Sequence, residues 1–298
     1  MSGFLKQTGC RCAFAESGAW VVLSEIEQSI KKKIEAVGRP LKDWDINIYR
    51  GILTGYNDAF IITTEKRNEI LSNCKDDEER SKTCEIIRPI LRGRDIKRYG
   101  YDWANLWLIN THNGVKGKIP RIDINDYPAI KAHLDQYWDK IKDRADQGDT
   151  PYNLRNCAYL EDFGKPKIVW GEISDRSKFA LDRAGQYVPE ATTFLLVGSD
   201  IEYLCCVLNS AVAEWYFSLI GTTTGVGTIR WKKYTIEKLP IPICDDEIKV
   251  QVRCLMKDFY NGEVSRDTFS TAINALINKV LLLDTDEVEY IEKYTHTI

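Results

Sequence analysis

The sequence predicts an α/β (α+β) body followed by a tail made only of helices, and three observations carry that prediction. Ser24 and Glu27 form a capping-box pattern ahead of Ile26, Ile30, Ile34 and Val37, which share one helical face. Short apolar runs bounded by Gly, Pro and polar residues then recur through the chain, as strands require. After Cys244 the texture changes to helical spacing alone. The 298 residues are 44% hydrophobic and 29% charged, a composition that supports a buried core and excludes disorder, collagen and coiled coil. The organisation read from this is a helical connector over 1–45, a body over 46–243 and a helical segment over 244–298.

The first helix should stop at Gly38, with Pro40 just beyond. Ile46–Arg50, a turn over Gly51–Asn57 and the apolar Ala59–Ile62 read together as a hairpin. The polar stretch from Thr64 to Lys82 reads as partly helical, with a mobile acidic tip at Asp76–Glu79. A strand is expected at Leu106–Ile109, then a Gly/Lys loop over His112–Arg121. Pro128 opens a helix with Ile130, Leu134, Tyr137 and Ile141 on one face. Further strands are expected at Lys167–Trp170, Phe179–Leu181 and Thr192–Val197. Ile201–Ile220 has the length of a membrane span, but Glu202, Asn209 and Glu214 interrupt it, and each mid-membrane charge costs about 2.5–3.5 kcal/mol. One or two buried helices, broken at Asn209-Ser210, are expected instead, and no membrane partner. Gly221–Gly227 reads as a Thr/Gly loop and Pro240-Ile-Pro242 as a stiff exit. The tail divides into Asp245–Tyr260, Arg266–Leu283 and a last helix capped by Asp284 and Glu287.

Much chemistry is missing. There is no Asn-Pro or Pro-Pro dipeptide, so no Asn-Pro-Pro-aromatic loop of an adenine methyltransferase. The glycine pattern that cradles a dinucleotide or S-adenosylmethionine is absent, since Gly225-Val-Gly227 has no third glycine in place. No phosphate-binding Gly-Lys-Ser/Thr loop, nucleophile elbow or metal-nuclease pattern occurs. Nine cysteines include Cys10/Cys12 and Cys205-Cys206, but none matches a zinc spacing, and the histidines are only His112, His133 and His296. Reduced thiols in a cytoplasm and a chain that catalyses nothing by itself are the expectations.

The net charge of −3 gives no overall bias toward nucleic acid, so any such surface must come from local segregation of charge. Two segments provide it. Ile86–Tyr101 carries Arg88, Arg92, Arg94, Lys97 and Arg98 against Asp95, and Gly225–Lys238 carries Arg230, Lys232, Lys233 and Lys238 against Glu237. Aromatics (Tyr99, Tyr101, Trp103, Trp231, Tyr234) and glycines lie beside them. Cationic side chains together with backbone N–H groups near glycine are what phosphates bind, and a guanidinium fork can clamp a phosphate or read guanine.

At this point the sequence resembles a known family. The strings are Gly51-Ile-Leu-Thr-Gly-Tyr-Asn-Asp-Ala-Phe60; Ile87-Arg-Pro-Ile-Leu-Arg-Gly-Arg-Asp-Ile-Lys-Arg-Tyr99; Tyr127-Pro-Ala-Ile-Lys-Ala-His-Leu134; Arg144-x-Asp146-x-Gly148-x-x-Pro-Tyr152-x-Leu-Arg155; Lys165-Pro-Lys-Ile-Val-Trp170; Leu208-Asn-Ser210; and Lys238-Leu-Pro-Ile-Pro242. In this order they resemble the C-terminal specificity domain of TaqI-like DNA methyltransferases and of fused type IIG restriction–modification enzymes. Less strongly, the chain is similar to the target-recognition domains of type I specificity subunits.

The resemblance implies a DNA target-recognition domain that grips duplex DNA and reads its sequence. In that family a methyltransferase domain lies N-terminal and flips adenine. S-adenosylmethionine, and Mg for any nuclease, would belong to such a catalytic domain, in cis or in trans, and this chain is expected to hold no cofactor and no metal. The DNA-binding candidates are Thr54, Gly55 and Asn57 in a turn, Arg92, Arg94 and Arg98, Tyr152 and Arg155, and Arg230, Lys232 and Lys233. A tight turn with Gly55 and Asn57 at positive φ is the structural alternative for the first group, and an ion pair from Asp95 to Arg92 or Arg98 for the second. Base readers are expected in loops such as His112–Arg121 and Lys165–Arg183, and both basic segments on one face. A nuclease of unrecognised motif and a stand-alone subunit that docks a methyltransferase through an apolar tail are the competing functions.

Overall fold

The computed structural model describes residues 23–224 and 227–297. Cys10, Cys12, Gly225 and the side chain of His296 lie outside them. Chain contacts divide the described residues into two compact units, one of Asp45–Ile173 with Lys178–Ile201, the other of the residues up to Trp44 with Ser174–Ser177 and the chain from Glu202 onward. The division differs from the linear one expected. The connector and the helical tail share a unit with residues 202–243: a strand after the first helix, Gly38–Pro40, pairs antiparallel with Pro240–Pro242, and the last two tail helices pack on the helix Ala211–Ile220.

The first helix, Glu25–Val37, has the reciprocal Ser24/Glu27 capping box and buries Ile30 and Ile34. Pro240-Ile-Pro242, expected as an exit, is therefore a strand. Its prolines are tolerated because the sheet has only two strands and no second ladder needs their missing N–H groups. Ile201–Leu208 and Ala211–Ile220 are two helices, with Ser210 capping the second through the Ala213 N–H. They are bent by 69° at the break, and no single described helix is long and apolar enough to cross a membrane. Most of their side chains are buried, Trp215 among them. Thr222–Thr223 pairs with Ile229–Arg230, so the expected Thr/Gly loop has short strands at its base. The tail forms Asp246–Tyr260, Arg266–Val280 and Thr285–Thr297, with Asp245, Ser265 and the reciprocal Asp284/Glu287 pair capping their starts. Its apolar residues Val252, Met256, Phe269, Ile273, Ile277 and Ile291 are turned inward.

The other unit holds two four-stranded sheets. The first is antiparallel in the order Phe179–Asp182, Lys167–Gly171, Thr193–Gly198, Ile46–Arg50. All five residues of Lys167–Gly171 are buried, as a central strand covered on both faces demands. The second runs Val188–Pro189, Ile87–Leu91, Leu106–Ile109, Ile61–Thr63, with a parallel first pair. The expected hairpin of residues 46–62 is thus not formed: its two strands belong to different sheets. The connection is redirected by the helical turn Asn57–Phe60, which buries Ala59 and Phe60. The acidic tip is also corrected. Asp76 caps the helix Asp77–Ile86, and Glu79 is buried, where its carboxylate accepts the Lys75 and Ala129 N–H groups, each at 2.8 Å. The helix from Pro128 breaks after Asp135 and resumes at Trp138–Ile141, still burying Ile130, Leu134 and Ile141.

Lys167 begins the central strand with its ammonium fully enclosed. It donates to Asp182 Oδ2 at 2.6 Å, to the Phe163 carbonyl at 2.9 Å and to the Lys165 carbonyl at 3.4 Å, so each N–H has an acceptor. Asp182 in turn accepts the N–H groups of Gln186 and Tyr187. A buried pair tolerates loss of one member poorly, because the survivor is left as an uncompensated charge. Lys167→Met is expected to cost about 3–5 kcal/mol of unfolding free energy, measured by urea denaturation, and adding Asp182→Asn should recover part of it.

Candidate nucleic-acid interface

The turn predicted to face DNA is built around a buried arginine. Thr54 is buried, donates from its hydroxyl to Asn57 Oδ1 at 2.5 Å, and offers its carbonyl to Arg144 Nε at 2.8 Å. Gly55 has φ +70°, and a Cβ there would lie 2.9 Å from the Arg144 Cδ, so conformation and close approach both demand glycine. Asn57 opens the Asn57–Phe60 turn with helical backbone and is exposed, which corrects the positive φ considered for it.

Arg144 itself donates to four carbonyls: Thr54, Ile141 at 3.2 Å, Pro151, and Asn153 at 2.5 Å. Its guanidinium lies 4.5 Å over the Phe60 ring. Burial pushes its pKa down to about 10, and it remains a cation at neutral pH. From this hub the order spreads. The buried Asn153 amide donates to the Ile122 carbonyl at 2.9 Å, and the Thr111 hydroxyl to the Tyr152 carbonyl at 2.6 Å, which pins both ends of the loop after Ile109. Asp146 pairs with Arg155 at 3.0 Å, and the Tyr152 hydroxyl donates to Asp135 at 2.5 Å. Thr54, Gly55, Tyr152 and Arg155 are therefore gathered about one framework, in which Thr54 and Gly55 serve packing and Arg155 keeps its head half in solvent. Arg144 and Asn153 had no assigned role in the sequence reading; the Arg-x-Asp-x-Gly spacing was visible, but not that its arginine is buried.

The segment 92–98 is not one exposed cluster. Arg88 lies in a strand and reaches the Gly185 and Gln186 carbonyls. Arg92 closes a bidentate pair on Asp95, with Nε at 3.0 Å and Nη2 at 2.7 Å, while Asp95 also accepts the Arg92 N–H. This lock makes a single tight turn, Gly93–Asp95, that leaves Arg94 exposed at its crest. Beyond it Ile96–Lys97 pairs with Gly100–Tyr101, and the buried Tyr99 takes φ +63° in the intervening turn, leaving Arg98 half-buried beside it.

In the other unit, Trp231 is buried and stacked on Phe217, with centroids 4.0 Å apart, anchoring the segment that carries Arg230, Lys232 and Lys233. Arg230 closes the short strand pair, Lys232 lies 5.9 Å from the Tyr234 ring, and the exposed Lys233 opens a helical turn 3.7 Å from Glu237.

The Arg144 hub has a direct test. Lys in its place cannot present a fork to four acceptors, and a buried carbonyl left without a donor costs about 1–3 kcal/mol. Arg144→Lys should lower the urea midpoint by an amount corresponding to at least one such loss, with the slope of the transition unchanged.

With this geometry in place, likeness to known proteins can be read. A family model, the TaqI-like C-terminal specificity domain, matches residues 88–241. The Type II methyltransferase M.BstVI of Geobacillus stearothermophilus is 22% identical over 236 residues, covering 77% of this chain and 39% of its own length. The Type II methyltransferase M.MjaIV of Methanocaldococcus jannaschii is 22% identical over 227 residues, covering 73% of this chain and 72% of its own. The chain thus spans well under half of the first relative. Among solved structures, the type IIG restriction endonuclease BpuSI superposes with a TM-score of 0.51 at 14% identity over 86% of this chain and 32% of its own. The type IIL restriction–modification enzyme MmeI, solved in complex with DNA, gives 0.53 at 12% over 85% and 33%. At such identities the superpositions speak for the fold alone. The family model covers more than half of the residues, and the chain belongs to the TaqI-like C-terminal specificity domain family.

Proposed function

We propose that this chain recognises duplex DNA as the specificity part of a restriction–modification methyltransferase, with the methyl transfer performed by a catalytic domain in cis or in trans. The observation that carries the reading is that the stretch matching the specificity-domain model, 88–241, contains every cation of both basic segments. In one of them a built device, the Arg92–Asp95 lock, holds Arg94 out to solvent. Phosphate contacts position such a domain on the duplex and base contacts specify the site. Arg94, Arg98, Arg230, Lys232 and Lys233 are proposed for the first task. Arg92 spends its fork on Asp95 and is proposed to position the turn. Thr54 and Gly55 are proposed to shape the Arg144 framework, with Asn57, Tyr152 and Arg155 at its surface.

The reading is tested by fluorescence anisotropy with a random-sequence duplex. Five phosphate contacts correspond to a slope of log K against log salt of about −4.5, at −0.9 per contact. Arg94→Ala and Lys233→Ala should each make the slope shallower by about one. Absence of binding at about 50 mM salt, or a slope near zero, would contradict the proposal. S-adenosylmethionine is proposed to bind the catalytic domain, so calorimetry with this chain should show no stoichiometric binding in the micromolar range; a saturable isotherm would place the cofactor site here.

A further inference from the structure

The loop between Thr111 and Ile122 carries cations that neither basic segment accounts for. Its middle is a miniature hairpin: Val115 and Ile119 exchange backbone hydrogen bonds at 2.9 Å, and Lys116-Gly117-Lys118 forms the tip. Gly117 has φ +76°, and nothing lies within 4 Å of where its Cβ would be, so the tip stands in solvent with Lys116 and Lys118 exposed on either side. Its base, in contrast, is rigid, held by the Asn153 amide and by Asn113, whose side chain donates to Asp149 and Asn156 and accepts the Asp149 N–H. Beneath the tip is an open hollow of about 560 Å³, whose polar lining is Lys116, Lys118, Arg121, Asn113, Asp149 and Asn156 beside the apolar Val115, Ile119 and Pro120.

The charge of this hollow is lopsided. Asp149 Oδ1 is taken by Asn113, and Oδ2 lies 4.0 Å from Arg121. Asn156 Oδ1 is taken by Asn113 at 2.6 Å. The ammonium groups of Lys116 and Lys118 are exposed, as is part of the Arg121 fork; set against these three cations is the single exposed carboxylate of Asp149. His112 adds no charge, since burial holds its pKa below the ordinary imidazole value and its Nδ1 accepts the Gly114 N–H. A rim of three cations against one carboxylate leaves a surplus of positive charge, which suits the anionic groups that the DNA backbone presents.

We propose that this hollow is a further phosphate-binding site for duplex DNA, in which the Lys116-Gly117-Lys118 tip and Arg121 receive backbone phosphate oxygens. The inference rests on the DNA-binding reading above and adds a surface to it, so that with three further contacts the slope of the unaltered chain steepens from about −4.5 toward about −7. It is tested on the full chain with a fluorescein-labelled random 30-base-pair duplex, titrated between about 50 and 200 mM potassium chloride. Two lost contacts should make the slope shallower by about 1.8, so that for Lys116→Ala/Lys118→Ala the loss of affinity across this fourfold change in salt is about twelvefold smaller than for the unaltered chain. Arg121→Ala should act in the same direction by about half that slope. Both lysines are exposed, so circular dichroism of the double variant should match the unaltered chain. If the slope of the double variant equals that of the unaltered chain while Arg94→Ala changes it, the hollow is not a phosphate site and the broader reading stands. A variant that alters binding to particular duplexes only, at an unchanged slope, also overturns the phosphate assignment. Absence of duplex binding by the unaltered chain overturns the reading and the site together.

Discussion

Arg144 is the group on which the unit of residues 45–173 and 178–201 turns. A guanidinium offers five N–H donors in a fixed plane, and here four hydrogen bonds from it are made inside the protein to carbonyls from three stretches of chain that have no ladder to share. Irregular backbone can be buried only if its polar groups find partners, and residues 141–155 are mostly irregular. One arginine supplies those partners for the turn at Thr54, the end of the helical turn at Ile141 and the bend at Pro151–Asn153. The Phe60 ring beneath it and Gly55 beside it are then consequences of its size and position. The loop of residues 111–122 inherits its footing from the same place through Asn153.

The same economy governs the cations elsewhere. With a net charge of −3, a duplex can be attracted only by placing positive charge where carboxylates are few. Three cations near the core are neutralised by carboxylates, Lys167 by Asp182, Arg92 by Asp95 and Arg176 by Glu214, whereas Arg144 is held by carbonyls alone. Each of these pairs shapes a turn or the end of an element. Arg94 is exposed on a turn that one of these pairs, Arg92–Asp95, stiffens. Side chains mounted on locked turns lose less freedom on binding than the same side chains on slack loops, which favours affinity without additional contacts.

Element positions were largely legible in the sequence because they rest on local rules. The capping boxes at Ser24/Glu27 and Asp284/Glu287, the break at Asn209-Ser210 and the strands at Leu106–Ile109 and Lys167–Gly171 all follow from periodicity and end signals. Pairing was not legible. Nothing in Ile46–Arg50 says that its neighbour is Thr193–Gly198 instead of the nearer Ile61–Thr63, since a strand's period describes its faces and not its partner. Nor is burial of a charge written locally: Glu79 reads as one carboxylate of an exposed acidic run, yet it caps a helix fifty residues away. In the candidate site, exposed Arg94 and Lys233 could be named from charge density alone, whereas the structural duty of Arg92 and the hub at Arg144 required the fold.

The central claim is that this chain reads DNA sequence as well as holding DNA. The most direct measurement is selection of a randomised duplex library by the purified full chain, followed by sequencing of the retained fraction. A specificity domain should enrich one short motif over several rounds at about 100–150 mM salt, where non-specific phosphate binding is weakened. A retained fraction with the composition of the starting library, despite measurable binding, would contradict the account and reduce the chain to a sequence-blind DNA-binding protein.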